Sequence, residues 1–143
     1  IVEGGELKTW LMDSYSARKL GLESTGNASR GIGSAPSVGT SNLSLAPGEG
    51  GSLDDIIAST KRGLLVTELI GMGFNPVTGD YSRGAAGLWI EAGEITYPVD
   101  EITIAGNLGQ MLSEIDRVGP GLLWLGRTAS PSLRLAAMTV AGD

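Results

Sequence analysis

The apolar and polar positions of this chain fall mostly into the two-residue alternation of β-strands. The run Leu88, Trp89, Ile90, Glu91, Ala92, Gly93, Glu94, Ile95, Thr96, Tyr97 sets an Ala-Gly pair between two alternating arms. That is the spacing of a hairpin with a two-residue turn, whose positive φ angles suit the strand twist. With Ala92 and Gly93 at the turn, Glu91 faces Glu94, and the following pairs are Ile90 with Ile95, Trp89 with Thr96 and Leu88 with Tyr97. This register collects Leu88, Ile90, Ile95, Tyr97 and Val99 on one apolar face. The same grammar appears around Gly4 and Gly5, between Val2-Glu3 and Glu6-Leu7. Residues 63–70 read as a buried strand, and residues 122–125 and 133–140 as two more.

Helical spacing is rarer. Ser52 opens one helix with Asp55 at the capping-box position, Leu53, Ile56 and Ile57 on one face, Lys61 and Arg62 at the end and Gly63 as terminator. Asn107 opens another, with Leu108, Met111, Leu112, Ile115 and Val118 at the helical period until Gly119 and Pro120 stop it. A short turn of helix runs from Ser14 to Leu20, closed by Gly21. Residues 24–51 are rich in Gly, Ser and Pro and have few large apolar side chains, so they read as a long loop, with brief strands at Val38 and at Leu43, Ser44 and Leu45. The expected fold is α+β: a mainly antiparallel, barrel-like or curved sheet with two or three short helices.

Composition narrows the chemistry. The 143 residues contain no histidine and no cysteine. Hydrolases that use an imidazole to shuttle the proton of a serine or cysteine are excluded, and a hydrolytic zinc site is disfavoured, because carboxylates alone suit magnesium or calcium better. The formal charge of −6 and pI near 4.6 oppose a nucleic-acid footprint. Neither a membrane-spanning run nor a signal peptide is visible, so a cytoplasmic protein is expected. The length suits one domain. A first hairpin arm of only a few residues after Ile1 suggests a fragment whose N-terminal portion is missing.

Several local motifs invite a chemical reading. Gly71, Met72, Gly73, Phe74, Asn75 and Pro76 imitate a phosphate-cradling loop, but Pro76 stands where a dinucleotide fingerprint needs glycine, so a plain connection between two strands is the better reading. Ser16 and Lys19 have the Ser-x-x-Lys spacing, yet the companion motifs are absent. Glu91/Glu94 and Asp100/Glu101 are carboxylate pairs of a kind that 16 acidic residues make inevitable. Trp10, Trp89 and Trp124 read as packing or interface anchors. The densest motif is Thr78, Gly79, Asp80, Tyr81, Ser82 and Arg83, followed by Gly84. Its bland reading is a turn in which Asp80 accepts backbone N–H bonds and pairs with Arg83. Its functional reading is a surface for a substrate or partner.

The stretch from Gly63 to Asn107, GLLVTELIGMGFNPVTGDYSRGAAGLWIEAGEITYPVDEITIAGN, resembles the C-terminal signature of PmbA/TldD proteins, some of which are named modulators of DNA gyrase. The resemblance extends upstream to Thr9-Trp10-Leu11, to residues 15–21 (YSARKLG) and to residues 24–28 (STGNA), and within the family it points to the PmbA, or TldE, branch. It implies that residues 1–143 are the single C-terminal domain of a longer, two-domain protein, the non-metal subunit of a two-subunit metallopeptidase, most simply a dimer. In such a complex the TldD-like subunit carries a His-Glu-x-x-x-His helix, a cysteine ligand and a zinc-type metal, and its partner helps close a channel for unfolded or flexible peptides. Under this reading no residue of the present chain is catalytic or a metal ligand, and no cofactor is expected in it. Residues 78–83 become the hypothetical substrate or partner surface. Two other classes stay open: a stand-alone peptide- or protein-binding regulatory module, and a catalyst built on Asp80 or another carboxylate.

Overall fold

A computed structural model describes residues 1–142. The chain divides into two compact units, one of Ile1–Ser44 with Trp124–Ala129, the other of residues 45–123 with those from 130 onward.

In the first unit, β1 (Val2–Glu3) and β2 (Glu6–Leu7) pair Val2 with Leu7 and Glu3 with Glu6 across the Gly4-Gly5 turn, the register that the sequence predicts. Helix α1 (Ser14–Leu20) opens at Asp13, whose carboxylate accepts from the Ser16 N–H at 2.7 Å while Ser16 Oγ accepts from the Asp13 N–H at 3.0 Å. Gly21, at φ 67°, closes it in the left-handed region that favours glycine. The Met12 side chain, just before the helix, is buried with Ala17. Its N–H donates to Thr25 Oγ1 and its carbonyl accepts from the N–H groups of Thr25 and Asn27, so residues 24–27 clasp the helix entrance. Beyond them β3 (Ala28–Ser29) pairs antiparallel with β4 (Ser37–Val38), and β5 (Leu43–Ser44) follows.

The second unit begins with α2 (Leu53–Ala58), capped reciprocally by Ser52 and Asp55 as the spacing predicts. Three strands follow as a meander: β6 (Arg62–Ile70), β7 (Asp80–Glu91) and β8 (Glu94–Asn107). Helix α3 (Leu108–Ser113) leads into β9 (Ile115–Val118). The chain then returns to the first unit, where β10 (Leu123–Leu125) and β11 (Thr128–Ser130) form a small sheet in the order β10-β11-β5, with β11 parallel to β5. Last are β12 (Leu133–Leu135), antiparallel to β9, and β13 (Thr139–Ala141), antiparallel to β8. The main sheet therefore runs β13-β8-β7-β6, and no sheet closes into a barrel. Its core on one face is Ala85, Ile102 and Ile104, supported by Leu64, Tyr81, Val99 and Met138.

Three element boundaries differ from expectation. Helix α2 stops at Ala58, before Lys61, Arg62 and Gly63, because hydroxyls take over its last carbonyls. Ser59 Oγ and Thr60 Oγ1 donate to Ile56 O at 2.9 and 2.8 Å. Lys61 O and Thr60 O then receive the N–H groups of Ala92 and Gly93 from the β7–β8 turn, and Arg62 and Gly63 join the sheet opposite Glu91 and Ile90. Helix α3 also ends early. Ile115 and Val118, which fit the helical period, instead face Leu135 and Leu133 across β9–β12. The run 133–140 likewise splits into β12 and β13. Finally, the β7–β8 hairpin has the predicted pairs Glu91–Glu94 and Ile90–Ile95, after which a bulge shifts the register so that Trp89 faces Tyr97 and Leu88 faces Pro98. The two rings stack at 6.4 Å. Thr96 is the extra residue, its hydroxyl donating to Trp89 O.

Arg134 joins several of these segments. Its Nε and Nη2 donate to the two oxygens of Asp116 at 2.9 and 2.7 Å, and its Nη1 donates to Ser59 Oγ at 2.9 Å. The guanidinium holds the Asp116 carboxyl below the usual carboxylate range. The hydroxyl and N–H of Ser52 do the same for Asp55, and the N–H and hydroxyl of Ser16 for Asp13. A lowered native pKa means that the unfolded chain takes up protons first as pH falls. This stabilisation is complete above the ordinary aspartate value of about 3.9 and disappears as pH drops through the lower native values. Urea midpoints are therefore expected to fall below about pH 4. Arg134→Ala should destabilise by about 1–2 kcal/mol at neutral pH and flatten part of that acid limb. An unchanged acid limb in the variant would count against the Asp116 assignment.

Candidate functional site

The β6–β7 connection is built around Asn75. Its Oδ1 accepts from the Val77 N–H at 2.9 Å and the Thr78 N–H at 3.3 Å, an Asx turn that Pro76, having no N–H, does not disturb. Backbone bonds fasten both sides: Asn75 N–H to Asp80 O, Gly79 N–H to Asn75 O and Ser82 N–H to Gly73 O, all within 2.7–2.9 Å. A Cβ on Gly73 would lie 1.5 Å from Ser82 O, so only glycine permits this approach. The loop is also tied to α3. Asn107 Nδ2 donates to Thr78 O at 2.9 Å, its Oδ1 accepts from the Gly109 N–H, and the Leu108 N–H donates to Gly79 O. Asn107, the predicted helix cap, thus also braces the loop. The resemblance to a phosphate loop ends here, because residues 71–76 lead from β6 into another strand, β7, and not into a helix.

The structure keeps Thr78, Gly79, Asp80, Tyr81, Ser82 and Arg83 together but not with the expected contacts. Thr78 Oγ1 donates to Asp80 Oδ2 at 2.7 Å, and no backbone N–H bond to the Asp80 carboxylate forms. Asp80 does not pair with Arg83. Both lie in β7, and residues three apart in a strand point to opposite faces. Tyr81 and Arg83 share the face of Ala85, and Tyr81 packs on the core there, whereas Ser82 is exposed on the other side. Arg83 Nη2 donates to Leu69 O at 3.1 Å, and its enclosed Nε has no partner. Among the described residues the ion pairs are Lys8–Glu6 and Arg134–Asp116, neither of them in this motif.

The other candidates resolve into structural roles. Ser16 is committed to the α1 cap, and the Lys19 ammonium lies over the Tyr15 ring, so Ser-x-x-Lys is not an assembled catalytic pair. Glu91 accepts from Trp89 Nε1, and Arg62 stacks on the Trp89 ring. Glu101 occupies a β8 bulge at φ 52°. Among the described residues no three of Asp and Glu converge as a metal site. Trp10 and Trp124 stand more than half exposed, as surface rather than core. Two open hollows occur, one of about 400 Å³ beside Ser52, Pro120 and Ser132, the other of about 500 Å³ beside Trp10, Met12 and Glu23; none of residues 78–83 lines either. Sequence reasoning treated Met72 and Phe74 only as part of a glycine-rich connection and passed over Val77. Met72 and Val77 are essentially fully exposed and Phe74 half exposed on the braced loop. The signal was available, since a valine between Pro76 and a Thr-Gly turn has no strand or helix face to bury it.

These features define an α+β fold of mainly antiparallel sheets whose polar side chains mostly hold caps and one loop, with a short exposed apolar row on that loop. Residues 1–142 match the family model described as the PmbA/TldA metallopeptidase C-terminal domain. The chain is 47% identical to metalloprotease PmbA of Escherichia coli O157:H7 over 143 residues, 100% of this chain and 30% of that protein. Among solved structures, TldE from Thermococcus kodakarensis superposes with a TM-score of 0.89 at 31% identity, over 99% of this chain and 33% of its own. A Thermotoga maritima protein named a candidate modulator of a DNA gyrase gives 0.84 at 39% identity, over 98% and 32%. The chain belongs to the PmbA/TldD family, and it spans about a third of the length of these relatives.

The loop geometry separates structural from contact residues. Gly73→Ala should cost about 3 kcal/mol, because the new methyl meets backbone. Asn107→Ala should cost about 1–2 kcal/mol through loss of both cap and brace. Asp80→Ala should stay within about 0.5 kcal/mol. Denaturant midpoints of the three variants give the order directly, and an Asp80 variant as unstable as Gly73→Ala would contradict it.

Proposed function

We propose that this chain is the C-terminal domain of a PmbA/TldE-like protein, the non-metal subunit of a two-subunit peptidase that takes flexible peptides. The observation that carries the reading is the combination of family membership with a donor set that does not fit a hydrolytic metal. There is no imidazole or thiolate in the chain, and its carboxylates are dispersed among the described residues. A zinc-type metal would then be held by a TldD-like partner, with the two subunits forming a dimer in the cytoplasm. No helix here is long and apolar enough to cross a membrane. The net acidity gives no support to nucleic-acid binding.

The domain's share of the work is to wall a peptide channel. Strand β6 ends its sheet, so its outer edge offers main-chain donors and acceptors to an extended segment, a mode that gives affinity with weak sequence preference. Residues 78–83 and the exposed Met72, Phe74 and Val77 sit at one end of the β6–β7 hairpin, where a partner or substrate can reach them. The full-length protein should cleave a flexible peptide only when mixed with the TldD-like subunit of the same organism, and chelator should abolish that cleavage. Cleavage by this protein alone, insensitive to chelator, would overturn the reading and favour carboxylate catalysis. Peptide capture without the partner, and no gain of activity with it, would favour the stand-alone module.

A further inference from the structure

Arg83 is a half-buried cation with an enclosed nitrogen that has no hydrogen-bond partner. It stands on the core face of β7, opposite Ile104 and two residues from the fully buried Ala85. Its stem is covered by the β6–β7 loop, where a Cβ on Gly73 would lie 3.2 Å from Arg83 Cγ. The guanidinium is anchored at one point, Nη2 to Leu69 O at 3.1 Å, while Nε is enclosed without any acceptor and Nη1 has none from the protein. Arg134 shows the completed arrangement in the same unit, with a bidentate carboxylate and a serine hydroxyl. Nearby acidity does not fill the gap at Arg83, since Asp80 projects from the opposite face and is bonded to Thr78.

A guanidinium withdrawn from part of its water, fixed in position and left without a counter-charge is costly unless an anion completes it. Its planar set of donors suits a carboxylate better than a point charge would. We propose that Arg83 is a carboxylate-binding residue, open through Nη1, whose ligand is a carboxylate of a peptide chain, either its C-terminus or an Asp or Glu side chain. The location coincides with the contact surface put forward above, and the inference rests on that reading for the origin of its ligand, though not for its chemistry.

The test uses the full-length protein and sodium acetate as the probe, with acetamide and sodium chloride at matched concentration and ionic strength. The side-chain Nε–H resonances of the arginines are followed by ¹⁵N NMR, and that of Arg83 is assigned by its loss in Arg83→Lys. Acetate should move the Arg83 resonance in a saturable way and leave Arg134 in place, and neither acetamide nor chloride should reproduce the shift. An Arg83 resonance that acetate leaves still, or moves no more than chloride does, overturns the proposal. Peptides then distinguish the source. Competition with acetate by a peptide acid but not by its C-terminal amide identifies the terminus, and competition by an Asp- or Glu-containing amide identifies a side chain. Because the readout does not use cleavage, a negative peptidase assay and a negative acetate titration are separate results.

Discussion

The second unit depends on a constraint at the middle of its sheet, where β7 runs straight through and both neighbours bulge at the same level. On one side Val66 faces Gly87 and Glu68 faces Ala86, leaving Thr67 as the extra residue. On the other, Ala85 faces Ile102 and Gly87 faces Val99, so that Asp100 and Glu101 loop out. A Cβ at Gly87 would lie 2.1 Å from Leu65 O, so the strands can meet this closely only because that position has no side chain. Bulges bend the strand that carries them and increase its twist. Placed on both flanks of one strand, they bend the sheet locally while β7 keeps its alternation from Tyr81 through Arg83 and Ala85 to Trp89. Everything on the core face is positioned by that unbroken alternation, including the packed Tyr81 and the half-buried Arg83.

The turns at the two ends of the meander show how the bent sheet is fastened. At the β7–β8 end, Ala92 and Gly93 take positive φ angles of 52° and 84°, and a Cβ on Gly93 would lie 2.5 Å from Ala58 O. The turn sits against the end of α2, and its N–H groups serve the carbonyls of Thr60 and Lys61. At the β6–β7 end, a Cβ on Gly73 would lie 1.5 Å from Ser82 O and one on Gly79 3.0 Å from Asn107 Nδ2. Backbone bonds within the chain thus fasten both ends, and on the β6–β7 loop they are concentrated around Asn75. Met72 and Val77 project from a loop whose Asn75, Val77, Thr78 and Gly79 N–H groups are already bonded within the chain.

Local chemistry was legible in the sequence, and competition between elements was not. The cap of α2 by Ser52 and Asp55, the Gly21 stop, the Gly4-Gly5 hairpin and the first two pairs of the Ala92-Gly93 hairpin depend on neighbours a few residues away. Those readings hold. The hydroxyls of Ser59 and Thr60 end α2 from close by, but the other misread boundaries turn on partners distant in sequence. Ile115 and Val118 satisfy a helical period, but they are claimed by Leu133 and Leu135. Arg62 and Gly63 look like a helix end until Glu91 and Ile90 pair with them. Thr96 was misplaced because a bulge adds a residue without changing the composition of a strand. The same limit applies to the site. The motif 78–83 was found by its density of polar groups, and the expected Asp80–Arg83 pair failed because strand alternation separates them, a consequence that required knowing β7 begins at Asp80.

The contrast between Arg134 and Arg83 connects this architecture to its use. Both are partly withdrawn from water by neighbouring strands, and a folded chain can tolerate such a cation by providing a carboxylate or by leaving it for a ligand. Arg134 received Asp116, and the pair is a fastening between β12, β9 and the end of α2. Supplying Arg83 internally would have required an acid on its own face of β7 or on the adjoining positions of β6 and β8. Those positions hold Tyr81, Ala85, Leu69 and Ile104, none of them a carboxylate. The apolar row that builds the core thus excludes an internal partner for the arginine it contains. An anion that completes Arg83 has to come from outside that row, and the covered stem together with the Leu69 tether fixes the direction from which it can arrive.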